Sequence, residues 1–222
     1  MIVGELKPLA AIADSLRDAE NVYIIGCGGC VTVCQSGGEK AARELALLLQ
    51  QHRNQINYQS GVIPRQCETE FLGLLAADWQ NIDTVVSLGC GVGVQALAHH
   101  YPKLRVVPGL NTMFMGMPLV PGQFAERCLG CGNCILDKTA GICPITRCAK
   151  SLLNGPCGGS QDGKCEIGGG RECAWQLIYD RLTERGEAES LNDLWLPRDW
   201  RSSHHGGPRQ LLREDVMLSA DE

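Results

Sequence analysis

Thirteen cysteines, eight of them between Cys128 and Cys173, constrain this chain more than any other feature of its sequence. Glu5, Lys7, Asp14, Arg17 and Asp18 break up the N-terminal stretch, so no apolar signal-peptide core is read there. The longest apolar runs fall far short of the ~20 residues that a membrane span needs. The expected setting is cytoplasmic, where thiols stay reduced. Dense cysteine there points to metal or cluster ligation rather than disulfides, and an odd count excludes complete pairing. The rest of the 222 residues is ordinary for a globular protein, with 44% hydrophobic and 20% charged residues. A net charge of -5 gives no basic excess of the kind that nucleic-acid binding requires.

Residues 1–120 read as alternating strands and helices. Asn21 to Gly26 is a buried-strand run, and Glu39 to Gln51 has helical spacing behind Ser36-x-x-Glu39, a capping-box pattern. Ile56 to Ile63 reads as a weaker strand and Glu68 to Trp79 as a helix. A strand at Asp83 to Leu88, a helix at Val92 to His99 and a strand at Leu104 to Val107 follow. This alternation predicts a Rossmann-like parallel sheet with crossover helices, whose sites form beyond the carboxyl ends of the strands. From about Pro121 the periodicity fades. Residues 121–187 read as a cysteine-rich, irregular domain too poor in apolar surface to fold without a metal staple, with helical spacing returning at Ala174 to Leu182. Residues 188–222 read as a charged tail containing Trp195 and the stretch Leu196-Pro-Arg-Asp-Trp200.

The first cysteine constellation, Gly26-Cys-Gly-Gly-Cys-Val-Thr-Val-Cys34, directly follows the first buried strand. A dinucleotide fingerprint would need a third glycine where Val31 stands, so nucleotide binding is disfavoured. Three thiolates on one tight, glycine-rich loop instead suit three corners of an iron–sulfur cluster. A dithiol redox site at Cys27-x-x-Cys30 fits less well, because Cys34 adds a third thiol. The fourth ligand is either Cys90, which ends a parallel strand, or Cys67, which follows the weaker one; the expected set is Cys27, Cys30 and Cys34 with Cys90. The second constellation opens with Cys128-x2-Cys131-x2-Cys134, a triple run that favours a cubane over zinc. Ferredoxin runs reach Cys-Pro after three residues, whereas Cys143-Pro144 arrives here after eight. Either Cys143 or Cys173 closes this site by that analogy. Cys148, Cys157, Cys165 and Cys173 suit zinc or a second cluster.

The string Cys143-Pro-Ile-Thr-Arg-Cys148, with Asn154-Gly-Pro-Cys-Gly-Gly159 and Cys173-Ala-Trp after it, resembles the C-terminal domain associated with methylenetetrahydrofolate reductases. Together with Gly26 to Lys40, Ser87 to Gln95 and Asn111-Thr-Met-Phe-Met-Gly116, the chain is similar to the small cysteine-rich subunit of the two-subunit reductases of acetyl-CoA-pathway anaerobes. The resemblance implies a heteromer in which a separate barrel chain carries flavin and reduces methylenetetrahydrofolate to methyltetrahydrofolate. This chain would then be a non-catalytic, electron-transfer subunit of an oxidoreductase. It would carry two or three [4Fe–4S] clusters, or zinc in place of one, and take electrons from a ferredoxin-like or heterodisulfide-reductase-like donor. The alternative is a structural zinc-binding subunit that stabilises the catalytic partner. Trp195 and Trp200 lead to the expectation that the tail wraps onto that partner or onto a second copy, since large aromatics are enriched at interfaces. His204 and His205 are assigned no metal.

Overall fold

The computed structural model describes residues 1–75, 79–213 and 215, and divides the chain into two units, Met1–Ala125 and Glu126–Glu222. In the first unit the elements run β1 (Ile2–Leu6), α1 (Leu9–Ser15), β2 (Asn21–Cys27), α2 (Cys30–Val33), α3 (Glu39–His52), β3 (Asn57–Ile63) and α4 (Thr69–Leu72). They continue with β4 (Thr84–Leu88), α5 (Gly91–His100), β5 (Arg105–Pro108), β6 (Leu110–Val120) and β7 (Gln123–Cys128), the last of which runs into the second unit. A mixed α/β fold results. Its centre is a four-stranded parallel sheet in the order β3-β2-β4-β5.

The pleat of β2 explains how both faces are filled. Val22 and Ile24 pack with α1 and α3 through Ile12, Leu16, Leu45 and Leu49, while Tyr23 and Ile25 face Leu72 of α4 and Leu97 of α5. Continuous apolar runs such as Val22 to Ile25 are what a strand covered on both faces requires. The chain first moves from β2 to β3 on one side, then crosses to β4 on the other. The reversal falls between β2 and β4, and beyond the carboxyl ends of such a pair doubly wound sheets bind their ligands.

Sequence periodicity locates the buried strands and the longer helices but misplaces three features. Of the helix expected over 68–79, Thr69–Leu72 form a single turn capped by Gly73, and residues 76–78 lie outside the described residues; Leu72, Leu75 and Trp79 share one hydrophobic cluster. Helix α3 begins after Gly38 with no side-chain cap. Ser36 instead donates to the Val31 carbonyl at 3.3 Å and closes the cysteine loop. Finally, β1, β6 and β7 form a second, three-stranded sheet that periodicity alone does not suggest. Strand β1 pairs antiparallel to β6, with a register shift at Val3/Gly4.

The second unit has a small core of Ala140, Ile142, Trp175, Ile178 and Leu182, built on α6 (Pro144–Arg147) and α7 (Ala174–Glu184). Among the described residues no helix is long and apolar enough to cross a membrane.

The carboxyl edge of the parallel sheet is closed by Gln66, whose side chain is fully buried. Its amide nitrogen donates to the Ile25 carbonyl at 2.9 Å, and Ser87 Oγ donates to its Oε1 at 2.5 Å. Removing it leaves buried partners unsatisfied and opens a cavity. The substitution Gln66→Ala is expected to cost about 2–4 kcal/mol and to lower Tm by roughly 5–15 °C in thermal unfolding of the full chain; an unchanged Tm contradicts this role.

Candidate functional site

Five cysteines gather at the carboxyl edge of the parallel sheet. Cys27 is the last residue of β2 and is buried, Cys30 begins α2, and Cys34 caps the end of that turn. Cys67 lies between β3 and α4, and Cys90 is the N-cap of α5 just past β4. The loop from Cys27 to Gly38 is folded tightly back onto the strand ends. Cys27 N donates to the Gly37 carbonyl at 2.8 Å, Gly28 N to the Ile63 carbonyl at 2.8 Å, and Thr32 Oγ1 to the Cys27 carbonyl at 2.6 Å. A side chain at Gly37 would overlap the Leu88 carbonyl oxygen, so only glycine permits this approach.

The electrostatics show which sulfurs are neighbours. Desolvation raises the Cys67 thiol pKa, and the nearby Cys27 and Cys90 raise it further, while its own backbone N–H works in the opposite direction. Arg65 feels both Cys67 and Cys30, although its main partner is Glu68 at 2.5 Å. Cys27, Cys30, Cys67 and Cys90 therefore share one neighbourhood. Cys34 turns elsewhere, its sulfur lying 3.6 Å from the Ile2 carbonyl of β1. Three residues that sequence reasoning did not single out hold this arrangement. Gln66, next to Cys67, accepts from Ser87 Oγ in β4, and Thr112 Oγ1 of β6 accepts from Gly91 N, next to Cys90, at 2.8 Å.

In the second unit, Cys128, Cys131, Cys134 and Cys143 line one small cavity of about 70 Å³, bordered by Leu129 and Ile145. Among the described residues no three His, Cys, Asp or Glu side chains meet around a single point as ligands of one ion do. The four thiols instead border a void. Gly130 N donates to Cys128 Sγ at 3.4 Å, the kind of N–H···S contact that tunes cluster potentials. Three arginines lie close together here. Arg147 has its pKa lowered by burial and by Arg127 and Arg181, and Glu172 opposes this from 3.1 Å.

Of the later cysteines, Cys148 and Cys173 pack against the core of Trp175 and Ile178. Cys165 N donates to the Arg171 carbonyl at 2.9 Å and Cys173 N to the Gly163 carbonyl at 2.8 Å, which lays these two segments side by side. Cys157 is exposed. Its thiol pKa is lowered by the backbone N–H of Gly159 and by Lys150, which also pairs with Glu166.

Part of the tail packs within its own unit, and its residues 214 and 216–222 lie outside the described residues. Trp195 packs 6.3 Å from Trp175 and under Lys138, inside its own unit, and residues 198–209 bond to the loop of Cys131. Leu194, Leu196 and Leu211 remain largely exposed, at 84%, 83% and 84%.

Residues 107–201 match the model of a family described as methylene-tetrahydrofolate reductase C terminal. The match spans the Cys128 loop, all the later cysteines and the tail as far as Arg201, and relates that segment of the chain to methylenetetrahydrofolate reductase. No curated protein and no solved structure matches the chain.

The two shifted thiols yield a direct check. In the reduced, metal-free chain, Cys157 is expected to be alkylated with a midpoint below the ordinary thiol value of about 8.5, and Cys67 with a midpoint above it. Peptide mass spectrometry after iodoacetamide treatment across the neutral and alkaline range reads both; the reverse order contradicts the electrostatic arrangement.

Proposed function

We propose that this chain is an electron-transfer subunit of a methylenetetrahydrofolate reductase, relaying electrons through [4Fe–4S] clusters to flavin on a separate catalytic chain. The observation that carries the proposal is the cavity lined by Cys128, Cys131, Cys134 and Cys143, within the segment that matches the reductase family. Four thiols around one void are a donor set for a cubane, and cubanes pass single electrons at potentials set by N–H donors and local charge. Arg127, which lines the same cavity, supplies positive charge beside the thiolates.

A second cluster is assigned to the carboxyl edge of the parallel sheet. Its ligands on this reading are Cys27, Cys30, Cys67 and Cys90, because Cys67 feels both Cys27 and Cys90, and Arg65 feels both Cys67 and Cys30. Cys34, turned toward Ile2, is left outside this set. The later thiols Cys148, Cys157, Cys165 and Cys173 are the place for a third cluster or for zinc, and the side-by-side course of the Cys165 and Cys173 segments favours zinc there. The electron donor on this reading is a ferredoxin-like or heterodisulfide-reductase-like protein.

The test is metal and acid-labile sulfide analysis of the anaerobically purified chain. About eight irons per chain with matching sulfide, and absorption bleached by dithionite, are expected for two cubanes. Zinc without iron would establish the structural zinc reading instead. On the same assay Cys67→Ser and Cys143→Ser are each expected to lose about four irons, whereas Cys34→Ser keeps them all. Loss of iron in Cys34→Ser with retention in Cys67→Ser would reverse the ligand assignment.

A further inference from the structure

We infer that Arg198 is a positioning residue for the thiolate site of Cys128, Cys131 and Cys134, fixing the Cys131 sulfur and offsetting the negative charge that one-electron reduction adds there. The inference rests on the reading of that loop as an iron–sulfur site. Arg198 Nη2 donates to Cys131 Sγ at 2.9 Å and also to the Asn133 carbonyl oxygen, so one planar group grips both ends of the turn. The guanidinium carbon lies 5.1 Å from the centre of the Trp200 ring, and this stacking restrains it. Its Nε is buried and has no hydrogen-bond partner among the described residues, a costly state that an anionic acceptor beside Cys131 would relieve.

The charge of Arg198 is not spent on a carboxylate. The adjacent Asp199 is taken up by Arg201, at 2.7 and 3.0 Å, and among the described residues no acidic side chain pairs with Arg198. The rest of the tail is fitted to the same loop. Ser202 Oγ donates to the Cys131 carbonyl at 3.0 Å, and Arg209 Nη1 bridges the carbonyls of Gly130 and Ser202 at 2.7 and 3.0 Å. Gly132, at φ +80°, lies against the Ser202 carbonyl with no space for a side chain.

Reduction adds one electron from a low-potential donor; no bond breaks and no proton or leaving group moves, so the site gains one negative charge. A fixed cation hydrogen-bonded to a ligand sulfur favours that more negative state and raises the potential.

The experiment uses the full chain, reconstituted anaerobically with iron and sulfide. The signal followed in an EPR-monitored redox titration is the one abolished by Cys131→Ala. In Arg198→Ala the reduced-to-oxidised ratio at fixed potential is expected to fall about tenfold, a downshift of about 59 mV for a one-electron couple. Arg198→Lys is expected to recover part of this, and Arg198→Gln little. If Arg198→Ala loses iron, the Lys and Gln variants carry the comparison, and equal potentials in those two overturn the inference. A wild-type potential in Arg198→Ala at full iron content overturns it as well, leaving the cluster reading intact. A wild-type chain that takes up no iron or sulfide defeats the cluster reading itself, and the inference with it.

Discussion

The hydrogen bonds that Gln66 makes to the Ile25 carbonyl and to Ser87 join three strand ends that would otherwise diverge beyond the sheet. Gln66 follows β3, Ile25 lies in β2 and Ser87 in β4, so one buried amide sets the spacing of the loops that leave all three. Gly89 N adds a bond to Ser87 Oγ at 3.1 Å, and side chains at Gly89 or Gly93 would collide with Gln66. Each of these residues stands next to a cysteine or on the turn that carries one. The position of Cys67 near Cys27 and Cys90 therefore follows from satisfying polar groups in a nearly dry place, where an unpaired amide is expensive. The second sheet braces the same edge, through Ile2 at Cys34 and Thr112 at Gly91.

How much of this is legible in the sequence depends on the range of the interactions. Strands β2 and β4 are continuous apolar runs bounded by glycine, and α3 and α7 have strong helical spacing, so local patterning finds them. The antiparallel pairing of β1 with β6 joins residues more than a hundred positions apart, and the alternation in Asn111 to Val120 is blurred by exposed Met113, Met117 and Leu119. Cysteine spacing marks the thiols as ligand candidates. Which thiols come near one another is set by strand order, and that is why Cys67 and Cys90 are equivalent in the sequence while in the fold Cys67 feels both Cys27 and Cys90. Gln66 gives no signal of its own: a glutamine before a cysteine in an apparent loop reads as solvated.

The second unit follows a different economy. Its core is a handful of apolar residues around Trp175, and the loops between its cysteines are held chiefly by polar contacts and glycines in left-handed conformations. The tail belongs to this construction. Trp195 completes the core, and Arg198, Ser202 and Arg209 bind the carbonyls and the sulfur of the Cys128 to Cys134 turn. A charged segment with two tryptophans looks like an interface for another protein, yet here its aromatic and cationic groups are used within the chain. Carbonyl oxygens of an irregular loop need donors as much as those of a strand do, and arginine supplies several from one rigid group.

The central claim is that two sets of thiols, one beyond the parallel sheet and one in the Cys128 to Cys134 loop, hold iron–sulfur clusters. Anomalous diffraction at the iron edge, from crystals of the full chain grown without oxygen, tests it most directly. The account predicts iron density bounded by Cys27, Cys30, Cys67 and Cys90 and, separately, by Cys128, Cys131, Cys134 and Cys143. Absence of iron from both places, or single zinc ions in them, would contradict it.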